Sequence, residues 1–196
     1  MKIKNILIFI MGISLFVACK SSSQVTVKSD ISVNKIKQKK LTQISKRDIL
    51  EAINDVRKKR IDCNDGNGMI GPSMLLMWND NLYSAALEHS IDLATTDTFS
   101  HLGSGKATDR TGLKLKRESY FDERIEMNGY KNASSVGENI AAGQTSIDEV
   151  VDAWLASPDH CANLVNPVFK EVGVAIAFDE TSEYGIYWTQ NLGDRY

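Results

Sequence analysis

The segment that most constrains the fold runs from Val136 to Asn166 and holds the most regular helical pattern in the chain. Ser146 and Glu149 are spaced as a capping box, which satisfies backbone N–H groups at the start of a helix. Five apolar residues then recur at the 3.6-residue period: Ile147, Val150, Val151, Trp154 and Leu155. The pattern predicts a helix that packs one face against a core.

This helix should end at Ser157, because a residue that precedes a proline is pushed out of the α region. Ser157 and Pro158 are also suited to begin a second, short helix as its N-cap and first position. The first turn of that helix carries His160 and Cys161. The sequence therefore places a histidine and a cysteine at a helix start, directly after the end of another helix.

Other stretches predict further helices. They are a first helix capped by Ser45, a second from Asn79 or Asp80 to about Thr95, and a third over Phe121–Met127, with a mixed signal over Thr108–Tyr120. Asn54 and Arg57 in the first helix are expected to face solvent or to bond to a helix end. His89 lies on the apolar face of the second helix and is expected to be a hydrogen-bonded core histidine rather than a ligand.

The end of the chain predicts a hairpin. Apolar and small residues alternate over Val172–Phe178, which is typical of a strand, and Tyr184–Leu192 is the returning strand. The stretch Gly137-Glu138-Asn139-Ile140 is interpreted as a turn. Helices that precede a hairpin indicate an α+β fold, in which helices pack on a small antiparallel sheet.

The N-terminus predicts export. Residues 1–18 combine two early lysines with an apolar run too short to span a bilayer, as in a signal peptide. Ala18 directly before Cys19 favours a lipobox, so Cys19 is the expected site of lipid attachment. The alternatives are an uncleaved anchor or ordinary secretion. Residues 19–44 are then a lipidated, flexible tether, and residues 45–196 form one domain.

The charge balance argues against a nucleic-acid partner. Without residues 1–18, the chain has 21 lysines and arginines against 25 aspartates and glutamates, a net charge of −4. No basic stripe of the kind that binds nucleic acid is present. The expected partners are instead a membrane, reached through the N-terminal lipid, and a lipid or protein ligand. The protein is expected to be a monomer.

Two cysteines are left once Cys19 carries a lipid. In an oxidising compartment, Cys63 and Cys161 are expected to form a disulfide. The alternative is a reactive thiol beside His160. Adjacent helical residues point about 100° apart, which makes a neighbouring cysteine and histidine a poor nucleophile–base pair.

Three side chains in loops or at helix starts have catalytic or metal-binding potential: His101, Glu138 and His160. Two imidazoles and a carboxylate can bind zinc and leave one position for water. Their spacings of 37 and 22 residues follow no local metal motif. The alternative is that the three residues have unrelated hydrogen-bonding roles.

Several motifs, taken together, resemble the CAP superfamily, whose domain is also called SCP. They are Phe99-Ser100-His101, Gly137-Glu138-Asn139-Ile140, Trp154 through Ser157-Pro158-x-His160, Val172-Gly173-Val174 and Tyr187-Trp188-Thr189-Gln190. The resemblance is closest to bacterial SCP-domain proteins and covers about Ile49 to Gly193. It implies a three-layer α-β-α sandwich and a cleft built around two histidines and acidic residues.

The resemblance places His101, Glu138 and His160 in that cleft. Ser157 stands where the family has its second acidic residue, which weakens the case for a divalent metal such as zinc. Leu102–Ser119 is longer and more basic than the family pattern.

Three functions follow from the resemblance. The preferred one is a non-enzymatic envelope lipoprotein whose cleft, including Ser157, binds a lipid, small molecule or protein. The alternatives are a metal-assisted, peptidase-like hydrolase with Glu138 as general base, and a structural or adhesion lipoprotein.

Overall fold

The computed structural model describes Leu41 and residues 43–196. The predicted signal peptide, Cys19 and the tether up to Lys40 lie outside the described residues. The helices are α1 (Lys46–Arg57), α2 (Asp80–Thr96), α3 (Arg110–Leu115), α4 (Phe121–Met127), α5 (Ile147–Ala156) and α6 (Pro158–Val165). The strands are β1 (Ile61–Asp62), β2 (Met69–Ile70), β3 (Met77–Trp78), β4 (Ala133–Ala142), β5 (Glu171–Phe178) and β6 (Ile186–Arg195). No helix in the described part of the chain is long and apolar enough to cross a membrane.

The helix boundaries follow the predicted caps. Ser45 and Asp48 form a capping box at the start of α1, and Ser146 accepts a hydrogen bond from the Glu149 N–H at the start of α5. Ser157 has extended backbone angles and separates α5 from α6, as the proline that follows it requires. α4 covers the predicted range from Phe121 to Met127.

The main sheet has the strand order β3-β5-β6-β4. β6 lies in the middle and pairs antiparallel with both β5 and β4, whereas the short β3 pairs parallel with β5. The predicted hairpin of β5 and β6 is confirmed. The interpretation of Gly137-Glu138-Asn139-Ile140 as a turn was wrong, because these residues form the middle of β4.

Helices cover both faces of the sheet, which makes the fold a three-layer α-β-α sandwich. On one face, α1, α5 and α6 pack against the sheet around a core that includes Ile53, Trp154, Leu164 and Trp188. On the other face, α2 contributes Leu93 to a cluster with Ile140 and Tyr187, and Leu82 to a second cluster with Ile125 of α4. The sheet therefore separates two independent sets of apolar contacts.

Gly173 allows α2 to lie directly on β5. A Cβ atom at this position would be 2.0 Å from the backbone nitrogen of Tyr83 and 2.5 Å from the carbonyl carbon of Leu82. Any side chain would therefore push the helix away from the sheet. This close approach explains the glycine within an otherwise apolar strand.

The expectation that Asn54 and Arg57 face solvent or bond to a helix end was wrong. Arg57 is fully buried and donates to the backbone carbonyls of Met74, Leu164, Asn166 and Phe169. Asn54 is buried as well and exchanges two hydrogen bonds with the backbone of Leu76. The side chains of Asn54 and Arg57 therefore hold the loop before β3 and the loop after α6 against α1.

The predicted disulfide is present. Cys63 and Cys161 are both buried and are joined at a sequence separation of 98. The bond links the loop after α1 to the first turn of α6. It therefore restrains the helix that carries His160.

Candidate functional site

Glu138 lies in the middle of β4, opposite Asn191 of β6. Its side chain points into the layer formed by α2 and α4 and is only 1% exposed. Arg124 of α4, which is equally buried, donates through Nη2 to both carboxylate oxygens at 3.2 and 3.0 Å. The Nδ1 atom of His101 lies 2.9 Å from Oε1 of Glu138. The carboxylate thus has a guanidinium on one side and an imidazole on the other.

Sequence reasoning missed Arg124, which it assigned to an ordinary short helix. The sequence offered only an arginine next to Ile125 in a short helix, a pattern more often explained by a solvated side chain. The guanidinium is fixed by further bonds to the carbonyls of Ser119 and His101. These contacts orient it towards Glu138.

The basic stretch between α2 and α4, which contains α3, supports Arg124. Buried Asp109 accepts hydrogen bonds from the backbone of Gly105, Gly112 and Ser119 and from the Ser119 hydroxyl. Burial raises the pKa of the Asp109 carboxyl, but these hydrogen bonds outweigh it and the net pKa is lowered. Ser119 Oγ in turn lies 3.1 Å from Nη1 of Arg124. The long Leu102–Ser119 stretch therefore helps to build the site.

His89 is in the core, as predicted, but it is not a fully hydrogen-bonded residue. Its Nε2 atom lies 2.9 Å from the Ser100 carbonyl and 3.7 Å from Oε1 of Glu138. Its Nδ1 atom has no hydrogen-bond partner among the described residues. Burial lowers the pKa of His89. No pattern in the sequence indicates that this ring adjoins Glu138.

The charge state of Glu138 is set by opposing effects. Burial by itself would raise the pKa of the Glu138 carboxyl, because a low dielectric disfavours the charged form. The neighbouring His89, Arg124 and His101 favour the ionised form, and the net pKa lies below the ordinary value. Glu138 is therefore a buried carboxylate in an ion pair.

His160 reaches the same region from the opposite face of the sheet. Asn139, the residue after Glu138, donates to the His160 carbonyl at 3.0 Å, and Asn163 of α6 bonds to the Asn139 side chain. Consecutive strand residues point to opposite faces. Glu138 therefore faces α2 and α4 while Asn139 faces α6, and the two histidines meet at the edge of β4, with ring centroids 6.1 Å apart.

A cavity of about 320 Å³, which we call the cleft, opens beside His160. Its walls include Phe99, Trp154, Ser157, His160 and Tyr184. Burial and the neighbouring His101 lower the pKa of His160. The Ser157 hydroxyl makes no capping hydrogen bond to α6. The structure thus brings Ser157 and His160 together in the cleft, with His101 beside them and Glu138 buried behind His101.

Comparison with known proteins decides the family. The family model described as CAP, the cysteine-rich secretory protein family, matches residues 50–192, which is most of the chain. The chain belongs to the CAP family. Its CAP domain is 34% identical over 112 residues to the Bacillus subtilis protein YkwD. That match covers 51% of this chain and 38% of YkwD, so it spans well under half of the relative's length.

The CAP domain is also similar to solved structures. An outer surface protein from Borrelia burgdorferi superposes with a TM-score of 0.52 and 21% identity, over 83% of this chain and 95% of that one. An extracellular protein from Bacillus anthracis that contains a SCP domain gives a TM-score of 0.49 and 26% identity, over 64% of this chain and 35% of that one. The nearly full-length match to the Borrelia protein supports the three-layer architecture of the CAP domain.

A zinc site with three protein ligands does not fit the CAP cleft of this chain. Both oxygens of Glu138 face Arg124, whose positive charge would repel a metal ion. Across residues 43–196, no three histidine, cysteine, aspartate or glutamate side chains are grouped to hold a metal. The donors left for a cation are the imidazoles of His101 and His160.

Proposed function

We propose that this CAP protein is a ligand-binding module of the cell envelope, anchored by a lipid on Cys19, and not an enzyme. The observation that carries the proposal is the ion pair between Glu138 and Arg124. It makes the family's glutamate a structural support for His101, while the cleft beside His160 is left with apolar and aromatic walls. Such walls with a few polar groups are typical of binding pockets.

The hydrolase alternative requires Glu138 to take a proton from water. A general base works best when its pKa is near the operating pH and its oxygen reaches the reacting group. The Glu138 pKa is lowered, its side chain is 1% exposed, and Arg124 and His101 occupy its oxygens. These properties favour a binding role over a catalytic one.

The envelope setting is supported by the N-terminal sequence, where a signal-like segment leads directly to Cys19. Export of this chain also agrees with its buried disulfide, since such bonds persist in oxidising compartments. The test is labelling of producing cells with a tagged fatty acid. We expect labelled protein from the natural chain and none from Cys19→Ser.

The binding role is tested on the full chain, extracted from membranes in a nonionic detergent. Native mass spectrometry should find a bound lipid, small molecule or peptide. Ser157→Trp, which fills the cleft, should abolish binding of this ligand. Lys131→Trp, an exposed change outside the cleft, should leave the binding unchanged. Turnover of peptide or ester substrates that disappears in Glu138→Gln would overturn the proposal and favour the hydrolase.

We propose that a divalent metal, where one binds, is held by His101 and His160 alone. Titration calorimetry with zinc should then show binding that survives Glu138→Gln and disappears in the His101→Ala, His160→Ala double variant. Loss of zinc binding in Glu138→Gln, with the fold retained by circular dichroism, would instead identify the glutamate as a ligand.

A further inference from the structure

The cleft has an aromatic entrance. Phe99 and Tyr184 are 49% and 44% exposed, and their ring centroids lie 6.0 Å apart with an interplanar angle of 50°. Two large aromatic side chains that stay half exposed at the mouth of a cavity offer open ring faces to a ligand. Ring faces attract cations, because they carry the negative part of the aromatic quadrupole.

Tyr184 is held in place before any ligand arrives. Its ring packs edge-on against Tyr187, with centroids 6.0 Å apart and an angle of 89°. Asp97 accepts hydrogen bonds from the Tyr187 hydroxyl and from the backbone N–H of Glu183. The loop that carries Tyr184 is therefore tied to the end of α2, close in sequence to Phe99.

The charged residues next in sequence to the lining of the cleft all have one sign. Asp152, Asp159 and Glu183 each directly precede a residue that lines the cleft, namely Ala153, His160 and Tyr184. All three carboxylates are exposed, and none forms an ion pair within the described part of the chain.

The segments that supply the walls of the cleft contain no positive side chain to offset these carboxylates. Lysine and arginine are absent from residues 93–105, 132–169 and 171–194. The basic residues of the domain lie elsewhere in the sequence, as in the 106–117 stretch. A cleft with negative edges raises the local concentration of cations and repels anions.

We propose that the ligand of the cleft is a basic peptide segment, one of whose lysine or arginine side chains lies against the exposed ring faces of Phe99 and Tyr184. This inference rests on the proposed binding function and names its ligand class. A single small cation could be bound by the two aromatic rings alone. Carboxylates spread over α5, α6 and the β5–β6 loop match several positive charges along a chain, which favours a peptide over a free amine.

The test uses the full chain in a nonionic detergent and a fluorescently labelled hexalysine peptide, with hexaglutamate as the matched probe. Fluorescence anisotropy should show binding of hexalysine alone, weakening as the salt concentration rises. The Phe99→Ala, Tyr184→Ala variant should weaken it by about tenfold, from two exposed cation–π contacts. Circular dichroism confirms that each variant is folded.

A charge-matched pair of variants separates local from overall charge. Asp152→Asn, Asp159→Asn, Glu183→Gln should weaken hexalysine binding by about tenfold, as expected for three exposed ion pairs. Glu51→Gln, Glu118→Gln, Asp122→Asn changes the net charge equally away from the cleft and should leave the affinity within about twofold of the natural chain. Equal losses in the two triple variants would overturn the inference, since binding would then follow overall charge.

Two further outcomes would also refute the peptide ligand. One is hexalysine binding that is indifferent to loss of both aromatic rings. The other is that hexalysine does not bind to the natural chain, although the natural chain carries a co-purified ligand that is lost in Ser157→Trp. The second result would leave the binding module in place and exclude only the basic peptide. Turnover lost in Glu138→Gln, by contrast, would refute the binding module itself.

Discussion

The ion pair of Arg124 and Glu138 makes the sharpest prediction. Arg124→Met keeps an unbranched side chain in a position that is 1% exposed but removes the guanidinium, which leaves Glu138 buried without its positive partner. Breaking a buried pair in this way costs about 3–5 kcal/mol, because the remaining charge has lost both its partner and its hydration. Arg124 also donates to the carbonyls of Ser119 and His101, so we expect the upper part of that range.

Urea unfolding followed by tryptophan fluorescence measures this cost directly, because Trp154 and Trp188 are buried on the opposite side of the sheet and report global unfolding. For a domain of this size, the same loss lowers the melting temperature by roughly 10–15 °C. Arg117→Met is the matched control. Arg117 pairs with Glu123 at the surface, and its loss should leave the unfolding midpoint unchanged.

A double-mutant cycle isolates the pair. Glu138→Gln alone leaves a buried guanidinium, whereas Arg124→Met, Glu138→Gln removes both charges. We expect the double variant to be at least about 2 kcal/mol more stable than the sum of the single losses predicts. Additive losses, or a cost below about 1 kcal/mol for Arg124→Met, would refute a buried ion pair at the centre of the site.

Three other predictions concern the framework. Replacing Cys63 and Cys161 by alanine should lower the free energy of unfolding by up to about 4.7 kcal/mol for this loop length, and dithiothreitol should destabilise the natural chain but not the variant. Gly173→Ala should cost about 3 kcal/mol in urea unfolding, because α2 must move off β5. Between pH 7 and 5, stability should fall as the pH falls. The pKa values of His89 and His160 are lowered in the folded protein, so the unfolded chain binds more protons in this pH range. His160→Asn should therefore reduce the slope of stability against pH.

The fold was largely predictable from local patterns. The caps at Ser45 and Ser146, the proline after Ser157 and the alternation in β5 each act within a few residues, and the structure has them where the sequence placed them. β4 was missed because its residues are small and polar, with Gly137 and three alanines, so it lacks the bulky alternation of a strand. Its extended form comes from pairing with β6, which is a tertiary effect.

The site was predictable only through the resemblance to the family. Nothing local connects residues as far apart as His101 and His160, and the structure brings their rings together at the edge of β4. Arg124 and His89 could not be predicted as site residues for a different reason. A buried charge is stable only when its partner is supplied from elsewhere in the chain, and a single sequence does not show which partner that is.

The pairing of β4 determines when the site can form. Among the described strands, β4 pairs only with β6, so Glu138 has no sheet partner until residues 186–195 have joined the fold. While the chain is being synthesised, α1 to α6 can be complete and the site still absent. Such a late, long-range step makes folding slow relative to the formation of the helices. Loss of β6 should therefore abolish ligand binding completely, however much helical structure the shortened chain retains.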